Sequence, residues 1–283
     1  MIHSDWHIHT DASYDAHLPL ETLIAAAKEQ GLRGFGVTDH LNYDDDKFWA
    51  NIVESAENYH RLKDTFPGMR LGVELTPISK PYYDYVKQHG TRVGYVPPVG
   101  TEPFGIGMAG DKEKLKALGV QYAVGAAHWR VEVADEMAKE SVEAQIIDWH
   151  HQQMYLACDD RVTILGHPWA CNDTWFEDFS IVPASMHDEL AAALLENGKY
   201  AECNVGMFMA EDTAKGNFRR QYAEFLRFLF EKGIPLTYGS DCHGDAKGPT
   251  MYPDNRAQAW KYLSAAGFQD GDFTDLPDEK LWQ

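Results

Sequence analysis

Imidazoles and carboxylates recur in this chain at short spacings. They occur in His7-Ile-His9-Thr10 with Asp15 following, in Thr38-Asp39-His40, and in Gly72-Val73-Glu74. They occur again in Ala126-Ala127-His128, in Gly166-His167-Pro168 and in Gly239-Ser240-Asp241-Cys242-His243. Nitrogen and oxygen donors of this kind suit Zn, Mn or Fe, and a carboxylate can bridge two ions. In an HxH on an extended strand both imidazoles project from one face, because side chains alternate with a period of two. Asp241 and His243 repeat that spacing near the other end of the chain. A lone HxH is as easily a pair of core or surface histidines. Six separate strand ends that all offer His, Asp or Glu point instead to metal chemistry.

For such residues to meet, regular elements must carry them to one place. Short apolar runs alternate with longer amphipathic ones along the whole chain. A strand ends at His7-Ile-His9, and further strands are expected at Gly34–Thr38, Arg70–Leu75, Tyr122–Ala127, Val162–Leu165, Tyr200–Val205 and Ile234–Tyr238. Helices are expected at Thr22–Gln30, Phe48–Phe66, Ser141–Cys158, Ala184–Asn197, Asn217–Glu231 and around Arg256–Ala266. Repeated βα units imply an α/β fold with a mostly parallel sheet covered by helices. A barrel fits better than an open sheet, because the polar residues follow strand ends, and in a barrel those positions converge on one face. Ser79–Asp111, with Tyr82, Tyr83, Tyr85 and Tyr95, and Gly166–Ser180, with Trp169 and Trp175, fit the alternation poorly. They are either loops over that face or ordinary surface connections.

Composition bounds the rest. The 283 residues are 44% hydrophobic and 24% charged, which is globular, and no sharp linker or repeat divides residues 1–283, so a single domain is expected. Apolar runs such as Leu23–Ala27 fall far short of the roughly 18 residues that a membrane span needs. The start, Met-Ile-His-Ser-Asp-Trp-His, lacks the basic and apolar regions of a secretory leader. Cys158, Cys171, Cys203 and Cys242 show no CxxC, as expected of free thiols in a reducing cytoplasm. Twenty-five basic against 44 acidic residues give a net charge of −19. Such a surface repels nucleic-acid backbones and anionic lipids, so neither a nucleic-acid polymer nor a membrane is an expected partner. An enzyme that takes an anionic substrate through bound cations remains compatible with it.

The ordered series HxHT-x-x-S-x-D, TDH, a strand-borne Glu, a lone His, Gly-His-Pro and GSD-x-H resembles the polymerase and histidinol phosphatase (PHP) superfamily, from His7 to His243. The resemblance implies a distorted (β/α)7 TIM-like barrel, a trinuclear centre at its C-terminal face, and hydrolysis of phosphate esters. It implies three divalent ions (Zn, Mn or Fe). His7, His9, Glu74 and Asp241 would hold one; Glu74, as a bridge, with His128 and His167 a second; Asp15, His40 and His243 the third. His89 lies in the interval where relatives often place a further ligand, but its Gln-His-Gly setting reads as a helix end and it is left out. A water bridging two dications loses a proton near neutral pH and becomes the nucleophile. The remaining ion and nearby cations would bind phosphoryl oxygens, with about +6 in the pocket overriding the acidic surface locally. Asp241 or His243 could relay a proton to the leaving oxygen.

The layout is similar to histidinol-phosphate phosphatases of that superfamily, which makes histidinol phosphate the leading substrate, with nucleotide or sugar phosphates as alternatives. One departure stands out. Those enzymes typically follow the Asn-bearing strand end with a phosphate-gripping Arg, whereas this chain reads Asn204-Val-Gly-Met-Phe-Met-Ala. Arg130 is the candidate replacement, as phosphate clamp and catalytic cation, or else a surface ion-pair partner; Arg219 and Arg220 are further options. Asn204 is a candidate substrate contact or a simple turn residue. Asp39 would either orient an imidazole or cap a helix, and Asp44-Asp45-Asp46 reads as a solvated helix N-terminus. His3, His17, His60, His150, His151 and His187 read as surface or core residues, and Cys242 as packing. Two other classes compete. An amidohydrolase-type deaminase or amidase also begins with HxH, but usually uses a strand-borne Lys or ends in a lone Asp. A non-catalytic PHP-like module would have lost ligands, and nine are present here.

Overall fold

The computed structural model describes residues 3–79, 106–128, 142–169, 178–209, 217–244 and 253–282. Its elements run β1 (Ser4–Ile8), α1 (Leu20–Glu29), β2 (Gly34–Val37), β3 (His40–Leu41), α2 (Asp46–Leu62) and β4 (Met69–Leu75). Next come β5 (Pro77–Ser79), β6 (Ile106–Met108), α3 (Lys112–Ala117), β7 (Tyr122–Gly125), α4 (Val142–Cys158), β8 (Ile164–Leu165) and α5 (Ala184–Glu196). The last are β9 (Tyr200–Asn204), α6 (Gly206–Met209), α7 (Phe218–Glu231), β10 (Leu236–Gly239) and α8 (Pro253–Ala265). Among the described residues no helix is long and apolar enough to cross a membrane.

Seven parallel strands pair in the order β1-β2-β4-β7-β8-β9-β10, and the short β3 pairs with β4. The sheet curls into a nearly closed barrel. Its seam, between β10 and β1, is held by a parallel bridge between Ile8 and Cys242 and by two backbone bonds, His9 N–H to Cys242 O (2.9 Å) and Asp241 N–H to His7 O (2.8 Å). The barrel expected from the alternation, TIM-like as the resemblance implies, is therefore present, and the seam itself joins two of the segments expected to carry metal ligands.

Helix positions follow from local chemistry. Leu20, Leu23, Ile24 and Ala27 form one buried stripe of α1, which stops before Gly31 at φ 67°. That stripe begins two residues earlier than the periodicity predicts, directly after Pro19, which suits a helix start. The Asp45 carboxylate caps α2 by accepting from Phe48 N–H at 2.9 Å, as an acidic helix N-terminus should. Two expectations need correction. The strand at Val162–Leu165 shrinks to Ile164–Leu165, because Val162 N–H is already used in a turn onto Asp159 O. Ser79–Asp111 is not all connection: its ends form the antiparallel pair β5–β6, and Asp111 caps α3 through Lys114 N–H. The remainder of that segment lies outside the described residues, as do Trp175, Cys171 and His89.

A tyrosine fills the barrel below the strand ends. Tyr122 pairs in register with Gly72, two residues before Glu74, and its hydroxyl donates to Trp6 O at 2.8 Å. This is possible only because two strand positions lack side chains. A Cβ on Gly36 would overlap the Tyr122 hydroxyl, and one on Gly72 would lie 2.6 Å from its ring. Gly36→Ala is therefore expected to destabilise the protein by about 1–3 kcal/mol through overpacking. Urea midpoints check this, and adding Tyr122→Phe, which deletes the overlapping hydroxyl, should recover part of the loss.

Candidate metal centre

All nine residues expected to bind metal arrive at one end of the barrel. His7 lies on β1 and His9 just beyond it, Asp15 in the turn that follows, His40 on β3 and Glu74 on β4. His128 follows β7, His167 follows β8, and Asp241 and His243 follow β10. Glu74 is the hub. Its Oε1 lies 3.3 Å from Nε2 of each of His7, His128 and His167. Its Oε2 lies 3.3 Å from His9 Nε2 and 2.8 Å from His40 Nδ1. Asp241 Oδ1 stands 3.5 Å from His7 Nε2 and 3.2 Å from His9 Nε2. On the outer side Asp15 Oδ2 faces His40 Nε2 at 3.4 Å and His243 Nε2 at 3.7 Å.

Those distances bear on whether ions fit. Two ligand atoms about 2.05 Å from one ion at tetrahedral angles are roughly 3.3 Å apart, whereas hydrogen-bonded atoms sit at about 2.8–3.0 Å. Most of the contacts above have the first spacing. The atoms that would face ions also lack hydrogen-bond partners although buried: His7 Nε2, His9 Nε2, His40 Nδ1 and both Glu74 oxygens. Buried polar atoms are otherwise nearly always satisfied. The residues fit divalent ions. Three groups close within 4.8 Å: His7, His9 and Asp241; His40, Glu74 and His128; and His9, His40 and His243. The first reproduces three members of one expected ligand set. The other two cut across the expected sets, since His40 faces Glu74 through one ring nitrogen and Asp15 through the other.

Outer contacts aim the rings. His7 Nδ1 bonds Glu202 Oε1 at 2.8 Å and His243 Nδ1 bonds Asp241 O at 2.9 Å, which leaves each Nε2 for the centre. Glu202 carries no expected role in the sequence. It is buried on β9, accepts from His167 N–H at 2.5 Å and from Asn204 Nδ2 at 3.3 Å, and occupies space that a Cβ on Gly239 would take. Its one sequence signal is the period of two that it shares with Asn204 at a strand end. Asn204 itself donates to Glu202 and, at 3.4 Å, to Asp241 Oδ2, so it braces carboxylates. Asp39 neither orients an imidazole nor caps a helix: its carboxylate accepts from Thr10 N–H (2.6 Å) and Thr10 Oγ1 (2.8 Å), and so shapes the turn after HxH. Arg220 pairs with Glu224 on the exposed side of α7 and Arg219 lies over the Tyr262 ring. Arg130 lies outside the described residues.

Two of the nine sit in backbone conformations that side chains rarely adopt, His167 at φ 23° and Asp241 at φ 54°. Such strain concentrates at functional sites. Electrostatics are equally uneven. Burial alone would raise the Glu74 and Asp241 carboxyls, but the facing imidazoles, His7 foremost, hold both well below the usual range. Burial, reinforced by neighbouring imidazoles, lowers His128 to about 3 and His243 to about 4. Burial opposes protonation of His7 and His40 too, yet their carboxylate neighbours override it, raising His7 well above 6.5 and His40 to about 10.

The PHP domain family matches residues 5–205, and the chain belongs to that family. No curated protein sequence matches it. Among solved structures it is similar to a histidinol phosphate phosphatase (HISK) from Lactococcus lactis subsp. lactis, complexed with Zn, L-histidinol and phosphate. That likeness has a TM-score of 0.68 at 15% identity and covers 99% of this chain and 98% of the other. It is also similar to the hisK protein of Listeria monocytogenes, with a TM-score of 0.60 at 14% identity, over 85% of this chain and 95% of that one. At these identities the likeness shows a shared fold.

Two outcomes follow from the geometry. Glu202→Gln should weaken divalent-ion affinity about 10–100-fold, read by chelator competition, because the tautomer of His7 and the backbone at His167 both lean on that carboxylate. Ion binding should also release protons. Without ions, the raised His40 contributes stability that is complete below about pH 6.5 and is lost as the pH rises through about 10. An incoming cation must displace such protons, so affinity should rise with pH across the neutral range. Titration calorimetry in buffers of different ionisation enthalpy measures the release.

Proposed function

Taking membership of the PHP domain family as the premise, we propose that this protein is a metal-dependent phosphomonoesterase acting on a small-molecule phosphate ester, with histidinol phosphate as the leading substrate. The observation that carries the reading is Glu74, buried at 0% exposure, with both oxygens unbonded and five imidazoles around it. An ionised carboxylate so placed is tolerated only where positive charge meets it. His7, His9, Asp15, His40, Glu74, His128, His167, Asp241 and His243 are proposed as the metal-holding set.

Bound divalent ions supply an activated water near neutral pH and offset charge on the phosphoryl group. The chain supplies the rest. The Nε2 atoms of His7, His9, His128 and His167 surround Glu74 and would present lone pairs inward once bound ions displace any protons there. Asp241, braced by Asn204 and the His7 backbone, keeps an ionised carboxylate toward the same point. Asp241 and His243 are both low-lying and so hold no proton at neutral pH, which favours ligand roles over proton donation to the leaving oxygen. The segment after Asn204 offers no cation: Met207 and Phe208 of α6 are buried, and Phe208 packs on Tyr222 and Tyr262. Phosphate gripping falls to Arg130 under this reading.

The Lactococcus lactis neighbour, which aligns over nearly all of its length and is described with Zn, L-histidinol and phosphate, supports histidinol phosphate as first choice. The test combines elemental analysis with phosphate release from histidinol phosphate, nucleotides and sugar phosphates. Near three equivalents of Zn, Mn or Fe, and one ester hydrolysed far faster than the others, are expected. Less than one equivalent, with no release after metals are added back, would overturn the reading. Glu74→Gln should abolish both ion retention and turnover.

A further inference from the structure

A file of polar side chains runs along the rim of the centre and belongs to none of the expected ligand sets except at its His128 end. The Tyr14 phenol oxygen accepts from Asn42 Nδ2 at 3.3 Å. Asn42 Oδ1 lies 2.7 Å from Thr76 Oγ1, and Thr76 Oγ1 lies 3.0 Å from His128 Nδ1. Asn42 and Thr76 are buried, whereas Tyr14 is 42% exposed.

The direction of the bonds follows from the Asn42 amide, whose NH2 faces the Tyr14 oxygen and whose carbonyl faces Thr76. A carbonyl has no proton, so the Thr76 hydroxyl donates to it. The Thr76 oxygen can then only accept, which requires the proton of His128 on Nδ1. The lone pair of His128 is left on Nε2, the atom 3.3 Å from Glu74 Oε1.

We propose that Thr76 and Asn42 are positioning residues: with Tyr14 they form a one-way hydrogen-bond chain from His128 to the exposed rim that fixes the tautomer of His128. The inference deepens the phosphomonoesterase reading and rests on it for the role of His128 toward an ion. The tautomer assignment stands on the hydrogen bonds alone.

Long-range 1H–15N correlation spectra of the metal-free protein with 15N-histidine read the tautomer directly. Wild type should show His128 protonated at Nδ1; protonation at Nε2 would overturn the proposal. Thr76→Val keeps the shape and removes the hydroxyl, and should mix the two tautomers and weaken one equivalent of Zn by about 10–100-fold in calorimetry. Thr76→Ser should restore both to within about threefold of wild type, and equal losses in Thr76→Val and Thr76→Ser would reduce the role to packing and overturn it. Should buried Thr76→Val fail to fold, Tyr14→Phe at the exposed rim gives the same test. It should shift the His128 tautomer population from a distance, and an unchanged population would overturn the chain. A wild type with the Nδ1 tautomer that binds no Zn, Mn or Fe would instead overturn the phosphomonoesterase reading, since the chain would be intact with no ion to serve.

Discussion

A single buried carboxylate governs this structure. Glu74 is fully enclosed, and no N–H or O–H satisfies either oxygen. In a protein interior an unpaired charge of that kind costs several kcal/mol, so the surrounding strands must deliver positive charge to it. They bring five imidazoles to it, His7, His9, His40, His128 and His167, of which His7, His40 and His167 are shifted toward the charged form. The carboxylate also sits where the sheet is firmest. β4 pairs with β2, β3 and β7, His40 stands opposite Glu74 in register, and Glu74 N–H bonds Asp39 O at 3.2 Å. A bridging ligand on a flexible loop could not hold several partners near 3.3 Å at once.

Closing the barrel and building the centre are one problem. The seam between β10 and β1 has few ladder bonds, and those it has involve His7, His9, Asp241 and Cys242. Asp5 adds a clasp one pleat below, accepting from Ser240 N–H at 2.9 Å and His7 N–H at 3.4 Å. The left-handed backbone at Asp241 is the geometry that lets β10 turn and reach His7 O. Strain at that residue is therefore held by the same bonds that shut the barrel. Glu202 plays the matching part at His167, pinning its strained N–H while aiming His7.

How much of this was legible in the sequence divides along a physical line. Residues that must share a strand end announce themselves through local spacing, which is why HxH, TDH, the strand-borne Glu and GSD-x-H lead to the nine clustered side chains and to the barrel. Residues that act across the fold leave no such trace. Glu202 meets His7 across 195 positions, and Thr76 meets His128 across 52. Each looks like an ordinary strand residue until the sheet brings its partner close. The same limit explains Asp39, whose neighbour His40 suggested an imidazole partner but whose bonds go to Thr10, 29 positions away. Element ends blurred for a different reason: β3 and β8 are two residues each, too short for any periodicity to register.

The net charge of −19 and an anionic substrate look incompatible only if charge is treated as uniform. Exposed carboxylates act through water and are screened beyond about 8–10 Å at physiological salt. The inner part of the centre, around Glu74, His7, His9 and His40, is buried. Across the centre six imidazoles meet four carboxylates, Glu74, Asp241, Asp15 and Glu202. Its unsatisfied nitrogens and oxygens, together with the left-handed His167 and Asp241, make it the least comfortable part of the fold on its own. Native proteins carry such features where a ligand completes them, because binding then adds directly to folding stability. The acidic exterior and the imidazole-lined interior are thus compatible: the first repels polyanions at long range, and the second creates a local demand for cations that the proposed phosphate-ester substrate would share.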